Sequence, residues 1–400
     1  MSTAIQEAPA ARRSVREMRE VTNSELSAFK DCPRKREFRY EVGWVPKIVG
    51  ASTLVGSAIH KGKEMLYTGF TWDAIIEAVR EIFNSYLDRH EEHLFDPQKY
   101  RDARDLSVEI MGNYLEHWWG QDNLTARHPV TGELLVEPEF KIPVYSEKGN
   151  PSSLYIFRGK VDRIITLDDE YWVEETKTRD QISDDTFESL VIDQQSRGYC
   201  WAVQVYLGIP IAGVCYDVVR RKSPGTPKVN KDGTVSSQKC DTHLSVLMDL
   251  LQKQDKYLKS LSEEERKAGK LAKCIDWAKY EAEIERLKGV RFFERRYQRY
   301  TDQDLMRIQR EIHQVTLNMH NTTYAYMNDS ACGHWGGCRY RPVCKGEDPG
   351  AIFTVARQKH SELGEDTEFH APLGKAYSLK DDLLDETLGM DGLIDSVSNF

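Results

Sequence analysis

Two carboxylates and one lysine in the segment 159–178 have the types and spacing of a metal-binding site. The segment reads GKVDRIITLDDEYWVEETKT, and a two-residue loop at 168–169 would place Asp162 opposite Glu175 in a β-hairpin. Lys177 shares their face because side chains alternate along a strand. A divalent ion would relieve the repulsion between the carboxylates, and hard oxygen ligands favour Mg²⁺ or Mn²⁺. An isolated Glu-x-Lys pair usually lies on a solvated hairpin. Other motifs must therefore show whether this pair belongs to a functional site.

Three further polar side chains occur on predicted helices before and after this hairpin. His60 belongs to a helix predicted over 54–67. Gln195 and Tyr199 are four residues apart in a helix predicted over 192–207, and therefore share one of its faces. Each of these residues is more often structural than catalytic, but their occurrence in this order is rarely accidental.

The order of these residues resembles that of the PD-(D/E)XK nuclease superfamily, and more narrowly that of its RecB-like exonuclease branch. The residues that carry the resemblance are, in chain order, His60, Asp162, Glu175, Lys177, Gln195 and Tyr199. The segment SELSAFKDCPRKREFRY (24–40) also resembles the opening of that branch. The resemblance covers about 22–345. It implies an α/β fold in which a central mixed β-sheet is flanked by helices, a restriction-endonuclease-like core, with a helical insertion at about 70–130.

The same resemblance implies a role for each residue of the set. One or two divalent ions would be held by the side chains of His60, Asp162 and Glu175 and by the main-chain carbonyl of Thr176. Such ions polarise the scissile phosphate and lower the pKa of bound water. Lys177 would orient the attacking water or offset the negative charge that develops on the phosphate. Gln195 and Tyr199 would position DNA or the lysine.

A second candidate site consists of cysteines from opposite ends of the chain. Of eight cysteines, one lies near the N-terminus and three lie in the glycine-rich stretch ACGHWGGCRYRPVCKG, namely Cys32, Cys332, Cys338 and Cys344. A chain of this size needs no disulfide bonds, so such a cluster indicates metal ligation. Zinc is one alternative, although structural zinc sites usually contain closely spaced cysteine pairs, which this pattern lacks.

The resemblance favours a [4Fe–4S] cluster over zinc. An early cysteine and three C-terminal cysteines are similar to those of iron–sulfur members of the branch, including AddB-type and CRISPR-associated nucleases. Four cysteine ligands suit such a cluster. The cysteine spacing differs from the family's pattern in one respect. The family's first C-terminal cysteine more often lies three residues before the second, whereas Cys332 precedes Cys338 by six. Either Cys332 or His334 would complete the iron–sulfur module, which is closed by Cys32 and 332–344.

The charge of the chain does not exclude an anionic partner. Its 400 residues include 64 acidic and 55 basic side chains, a net charge of −9. Residues 346–400 hold twelve acidic and four basic side chains, so this acidic tail accounts for −8. The tail is predicted to be a solvated extension, or else a peptide that docks on a partner protein or covers the active cleft as a DNA mimic. Residues 1–21 are predicted to be a mobile N-terminal tail.

Two basic stretches could contact phosphates. The segment 220–233 carries five basic residues in a predicted loop. The segment 291–300, RFFERRYQRY, interleaves arginine with aromatic residues and could combine phosphate binding with base stacking. As a strand, the same segment would instead bury its aromatic rings and expose its arginines. The sequence leaves both interpretations open.

Periodicity predicts the elements that must position these residues. Apolar spacing indicates helices over 54–67 and, on either side of a turn near 95–97, over 72–119. Segments rich in Val, Ile, Tyr and Thr predict strands at 134–145, 154–167, 171–178 and 211–219. Further helices are predicted over 192–207, 243–260, 276–288 and 302–326.

The sequence therefore indicates a metal-dependent DNA exonuclease that acts in DNA recombination, repair or processing. The alternative within enzymes is a nuclease that trims DNA for CRISPR adaptation, and the alternative of another class is a catalytically inactive DNA-binding or scaffold protein. The expected partners are DNA, including single strands, and a separate helicase or recombination protein, because the chain contains no G-x4-G-K-[ST] motor motif. No apolar run approaches the ~20 residues of a membrane helix, so we expect a cytoplasmic location in a bacterium or a phage-infected host.

Overall fold

The computed structural model describes residues 18–118, 120–236, 238–356, 359–360 and 363 of the chain. Its helices are α1 (Asn23–Asp31), α2 (Pro33–Arg36), α3 (Ala51–Tyr67), α4 (Trp72–His90), α5 (Pro97–Trp118), α6 (Asp184–Val191), α7 (Gln194–Leu207), α8 (Leu244–Ser260), α9 (Glu263–Gly269), α10 (Glu281–Lys288), α11 (Asp302–Asn321), α12 (Arg341–Cys344) and α13 (Pro349–Ile352). The sequence does not predict the short helices α2, α6, α9, α12 and α13, because four to eight residues are too few to show a helical apolar period. Among the described helices, none combines the length and the apolar composition that crossing a membrane requires.

The strands form three sheets. They are β1 (Arg19–Val21), β2 (Trp44–Pro46), β3 (Leu124–Thr125), β4 (Glu139–Tyr145), β5 (Pro151–Lys160), β6 (Arg163–Leu167), β7 (Glu170–Arg179), β8 (Ile211–Arg220), β9 (Phe293–Arg299) and β10 (Phe353–Val355). The largest sheet has the order β3-β6-β7-β8-β9, in which β7 and β8 are parallel and the other pairs antiparallel. The second has the order β1-β5-β4, and β2 pairs with β10 in the third. A mixed sheet flanked by helices confirms the predicted α/β fold class.

Helices cover both faces of the five-stranded sheet. On one face, α7 packs on β7 and β8 and is itself covered by α11, so that Val173 and Val214 join the main core. On the other face, α3 packs on β7 and also on α4 and α5, forming a second core that includes Phe83 and Met111. Because side chains alternate along a strand, β7 presents successive residues to α7 and to α3.

The β6–β7 hairpin has the predicted register. Asp168 and Asp169 both adopt left-handed backbone conformations, with φ of 50° and 61°, as the tight two-residue hairpin turn requires. Arg163 lies opposite Glu174, which places the preceding and following residues of the two strands, Asp162 and Glu175, at the same end of the hairpin. The local turn and the strand period were therefore sufficient to predict this geometry.

The segment predicted as one strand over 154–167 is two strands, β5 and β6, which belong to different sheets. The chain passes between the sheets at Val161 and Asp162. There the Val161 N–H donates to the Pro138 carbonyl at 3.2 Å, and the Asp162 carbonyl accepts from the Glu137 N–H at 2.9 Å. This crossing interrupts the alternation of a regular strand and brings residue 137 next to Asp162.

The N-terminal and C-terminal parts of the described chain pack together. β2 pairs antiparallel with β10. The Tyr340 hydroxyl donates to the Trp44 carbonyl at 2.7 Å, and the Tyr340 ring stacks on Phe353 with centroids 5.0 Å apart. These contacts hold residues near 40 and near 340 in one module, although some 300 positions separate them.

Parts of both segments that were predicted as tails are folded. Residues 19–21, which were predicted to belong to the mobile N-terminal tail, form β1 and pair in parallel with β5. Within this strand, Val21 is buried in the main core. Residues 349–355, placed in the acidic tail, form α13 and β10, and Phe353 is buried. Residues 1–17 and most residues beyond 356 lie outside the described part of the chain.

Candidate active site

Three side chains from separate segments converge beside the β6–β7 hairpin. One ligand atom from each of His60, Glu137 and Asp162 lies within 4.8 Å of the other two, a spacing that one metal ion can bridge. They line a cavity of about 10 Å³, enough for about one water-sized particle. His60 lies on α3, Asp162 between β5 and β6, and Glu137 shortly before β4. The His60 and Asp162 side chains are 37% and 20% exposed, so the site is open to solvent.

Close packing of α3 on β7 places His60 at this point. A Cβ atom on Gly56 would lie 3.4 Å from Thr178 Oγ1, so the helix approaches the strand closely one turn before His60. One turn after His60, Lys63 Nζ donates to Thr176 Oγ1 at 2.6 Å. The helix is therefore tied to β7 on both sides of the histidine.

Asp162 is held as a carboxylate by its neighbours. Its Oδ2 accepts a hydrogen bond from the Thr176 N–H at 2.6 Å, and its Oδ1 lies 3.1 Å from Nδ1 of His60. Burial alone would raise the pKa of Asp162, but the charge of His60 and these hydrogen bonds lower it below the usual aspartate value. In turn, the charge of Asp162 raises the pKa of His60. The site consequently carries negative charge that can attract a cation.

Glu175, Lys177 and Gln195 form a hydrogen-bonded chain between β7 and α7. Lys177 Nζ donates to Glu175 Oε1 at 2.7 Å and to Gln195 Oε1 at 2.9 Å. Burial raises the pKa of Glu175 to about 7, although Lys177 opposes this shift. Burial alone would lower the pKa of Lys177, but the charge of Glu175 raises this pKa above the usual lysine value. The structure thus brings these three predicted residues together, with the lysine charged.

Tyr199 and Thr176 have other contacts. Tyr199 is buried in the main core, where its ring packs edge-on against Phe140 with centroids 5.5 Å apart. The Thr176 N–H donates to Asp162, and the Thr176 hydroxyl oxygen accepts from Lys63 Nζ. Metal ligation by the Thr176 carbonyl, and DNA or lysine positioning by Tyr199, stay predictions.

The comparison with protein families matches residues 20–345 to the model of the PD-(D/E)XK nuclease superfamily. This match covers most of the chain and includes every residue of the site. The chain belongs to the PD-(D/E)XK nuclease superfamily. Membership makes it a nuclease, and hence a protein that acts on nucleic acid, with a candidate acidic metal site at His60, Glu137 and Asp162. A search of curated proteins finds no match to this nuclease.

Glu137 is the member of the site that the sequence interpretation missed. Its backbone is left-handed, with φ of 53°, and its N–H bonds the carbonyl of Asp162. Burial raises the pKa of Glu137, the charge of Asp162 adds to this effect, and Lys160 Nζ lies 2.5 Å from its carboxylate. A single glutamate before a strand carries no periodic or spacing signal, so only the crossing between the sheets reveals it.

Replacing Glu137 by glutamine should weaken Mn²⁺ binding at least roughly tenfold, because a convergent carboxylate ligand loses its charge and loss of even an outer-shell partner costs about 10- to 100-fold. Isothermal titration calorimetry with Mn²⁺ measures the effect. Glu133→Gln is the matched control, since Glu133 is exposed in the preceding loop and should bind Mn²⁺ like the wild type. Equal affinity in Glu137→Gln and in the control would exclude Glu137 as a ligand.

Metal affinity should fall as the pH falls. The raised pKa values of Glu175 (about 7) and His60 mean that protons occupy both groups under mildly acidic conditions. Since protonated groups cannot ligate a cation, Mn²⁺ affinity should decrease roughly tenfold or more between about pH 8 and about pH 6. Titrations at several pH values test this, and Glu175→Gln should show a shallower dependence. An affinity that is constant over this range would contradict the assignment of Glu175 and His60.

The four predicted cysteine ligands surround one cavity in the module formed by the two ends of the chain. The cavity measures about 670 Å³ and is lined by Cys32, Cys332, Cys338 and Cys344, among other residues. Cys32 Sγ accepts a hydrogen bond from the Asn328 N–H at 3.3 Å. Burial and the neighbouring cysteines raise the pKa of the Cys344 thiol. The side chain of the alternative ligand, His334, lies outside the described part of the chain.

The basic stretches contribute less to a nucleic-acid surface than their sequences suggest. The segment 291–300 contains β9, and Phe292, Phe293 and Tyr300 are buried as the strand interpretation predicts, whereas Tyr297 is exposed. That interpretation is wrong for Arg295, which is buried and lies 3.2 Å from Asp217. The arginines pair with carboxylates because β9 adjoins β8 and the acidic residues near it.

The loop 220–233 is also partly neutralised. Arg220 and Lys222 contact Asp241 at 2.8 and 2.9 Å, and Arg221 contacts Asp180 at 3.0 Å. Three of its five basic side chains are therefore engaged within the protein.

Proposed function

We propose that this PD-(D/E)XK nuclease is a metal-dependent DNA exonuclease of the RecB-like branch that acts in DNA recombination, repair or processing. The observation that carries the proposal is the convergence of His60, Glu137 and Asp162 beside the Lys177–Glu175 pair. Trimming of DNA for CRISPR adaptation uses the same chemistry and is the alternative within this class. Both require hydrolysis of a phosphodiester next to a strand end.

The donor atoms fit a hard divalent cation. Two carboxylates and one imidazole nitrogen lie within 4.8 Å of one another, and Glu175 is close enough for Asp162 and His60 to affect its pKa. Such oxygen-rich sets suit Mg²⁺ or Mn²⁺. The ion would be held by His60, Glu137, Asp162 and Glu175, with the Thr176 carbonyl as a further candidate. When bound, it would polarise the scissile phosphate and lower the pKa of a bound water.

Lys177 is placed to act on the reacting phosphate. Its bonds to Glu175 and Gln195 use two of the three ammonium donors and fix the position of the charge. A fixed positive charge in a partly buried site stabilises the negative charge that develops on the phosphate during hydrolysis. Gln195 acts as the positioning residue that holds the lysine from α7.

The assay for this function is digestion of end-labelled single- and double-stranded DNA with Mg²⁺, with Mn²⁺ or with EDTA, beside covalently closed circles. We expect only linear DNA to be degraded, and only with metal, because an exonuclease needs an end. Lys177→Ala should lose this activity while the protein remains folded. Cleavage of closed circles would overturn the exonuclease assignment, and full activity of Lys177→Ala would overturn the mechanism. Binding without cleavage by the wild type would favour a scaffold.

A [4Fe–4S] cluster is our proposal for the cysteine cavity. Four cysteines line it, and an N–H donor already points at Cys32 Sγ, as is common for cluster ligands. Because Cys32 and the other three come from opposite ends of the chain, a bound cluster would hold the two ends together. It would have a structural role, since the proposed hydrolysis requires no electron transfer.

Metal analysis of anaerobically purified protein tests this assignment. We expect about four iron atoms per chain and a brown colour, and Cys338→Ser should lose the iron. Cys274→Ser is the matched control, because Cys274 is exposed and is not among the residues that line the cavity. Stoichiometric zinc without iron would overturn the proposal.

A further inference from the structure

Exposed tyrosine and methionine side chains occur close together in the segment that leads into the cysteine cavity. In the segment that follows α11, Tyr324, Tyr326 and Met327 are 69%, 55% and 51% exposed, and Met327 also lines the cavity. We call these three side chains the tyrosine surface. Burying apolar area of this kind would stabilise the fold, so stability does not account for its exposure. Neither the active site nor the proposed cysteine ligands require it.

The backbone that carries the tyrosine surface is fixed to α2 by Arg34. The Arg34 N–H donates to the Tyr326 carbonyl at 3.2 Å, and its Nε donates to the Ala325 carbonyl at 3.1 Å. Its Nη2 donates to the Tyr324 hydroxyl at 3.0 Å, and the guanidinium lies 5.7 Å from the centre of the Tyr324 ring. The Tyr324 ring and the backbone of Tyr326 are thus held in place before any ligand binds, which lowers the entropy cost of binding.

The surroundings of the tyrosine surface are basic and lie near the active site. Segments 30–39 and 339–345 hold eight basic and two acidic side chains, a formal charge of +6 within a chain of net −9. Of these cations, Arg36 is buried and paired with Glu25 and Glu41, and Lys35 pairs with Asp31, so the remaining basic side chains are the candidates for phosphate contact. At the end of α1, Lys30 hydrogen-bonds to Gln194. Gln194 directly precedes Gln195, which accepts from the active-site lysine. A phosphate backbone that followed these cations would therefore lead toward the active site.

We propose that the tyrosine surface binds single-stranded DNA by base stacking and leads its end toward the active site. The inference rests on the proposed DNA exonuclease function and specifies the form of its substrate. Unpaired bases can stack on exposed aromatic rings while nearby cations contact the phosphates, and this combination is typical of single-strand binding without sequence preference. Base-paired DNA buries its base faces and gains no stacking. The charge of the surroundings favours nucleic acid over a protein partner.

Fluorescence anisotropy with labelled oligothymidylate and with a blunt duplex, in EDTA, tests the proposal on the full chain. Replacing Tyr324 and Tyr326 together by alanine should weaken single-strand binding roughly tenfold or more and change duplex binding much less. The corresponding double phenylalanine variant should keep most of the affinity, because stacking requires the ring and not the hydroxyl. Tyr257→Ala is the matched control, since Tyr257 is 49% exposed on α8. Wild-type affinity in the double alanine variant, as expected if the surface docks a protein, would overturn the proposal.

A measurement on the unmodified protein tests the proposal without depending on the folding of the variants. Ultraviolet cross-linking to an oligonucleotide that contains bromodeoxyuridine, followed by mass spectrometry, should give adducts on Tyr324 or Tyr326. Adducts confined to other regions would overturn the stacking surface. Both readouts are independent of cleavage, so an inactive wild type that still cross-links at these residues would refute the exonuclease function alone.

Discussion

Replacing Asp162 by asparagine is expected to reduce metal-dependent DNA hydrolysis roughly a thousandfold or more while the protein remains folded. Asparagine has the same shape and can still accept the Thr176 N–H that the carboxylate accepts at 2.6 Å. It removes the negative charge that faces His60 and that a divalent ion requires. Initial rates on end-labelled DNA at saturating Mn²⁺ measure the loss, and calorimetry on the same variant should show weakened Mn²⁺ binding.

Asp169→Asn is the control for the Asp162 variant. Asp169 is exposed in the turn of the same hairpin with φ of 61°, a conformation that asparagine tolerates well. This variant should retain wild-type rates and stability. If Asp162→Asn hydrolysed DNA as fast as Asp169→Asn, a metal centre at Asp162 could not be the catalytic one.

Replacing Glu174 by glutamine is expected to lower the free energy of unfolding by about 3–5 kcal/mol. Glu174 is fully buried on the face of β7 that α3 covers. Its carboxylate accepts from Arg163 Nε at 3.1 Å and Nη2 at 2.6 Å, and lies 3.4 Å from Lys63 Nζ. Without it, Arg163, Lys63 and Arg295 would remain buried with fewer negative partners. Denaturant unfolding in EDTA gives the change.

The adjacent Glu175 provides the contrast to Glu174. Its pKa of about 7 in the folded protein lies above the usual glutamate value, so its protonated form contributes stability that is lost as the pH rises through about 7. At about pH 8 in EDTA, Glu175→Gln should therefore be at least as stable as the wild type, because the neutral amide avoids a buried charge. The same variant should be inactive. If Glu174→Gln and Glu175→Gln were destabilised equally, Glu174 could not be assigned to the stability of the fold and Glu175 to the candidate site.

The different environments of Glu174 and Glu175 show how much of the structure a short segment of sequence can predict. Strand alternation placed Glu175 and Lys177 on one face and Glu174 on the other, and the tight turn at 168–169 set Asp162 across from Glu175. The helices α3, α4 and α5 were equally predictable from their apolar spacing. All of these features depend on interactions between residues that are close in the chain, so the local sequence suffices to specify them.

The order of polar residues also identified the superfamily, because chemistry constrains residue types more strongly than loop lengths. What the sequence could not place were side chains whose environment depends on distant segments. Glu137 joins the site only because the chain crosses between two sheets at 161–162. Arg295, which looked available for phosphates, is buried against Asp217.

The hairpin next to Asp162, which carries Glu175 and Lys177, could be predicted from the amino-acid sequence, as could the principal helices and the nuclease superfamily. Which carboxylates lie together in the candidate metal site, and which arginines are neutralised, became apparent only from the packed structure. The physical reason is that backbone geometry follows from neighbouring residues, whereas burial and charge pairing depend on the whole packed chain. A charged side chain can remain in a low-dielectric interior only beside a partner, and folding brings that partner from elsewhere in the sequence.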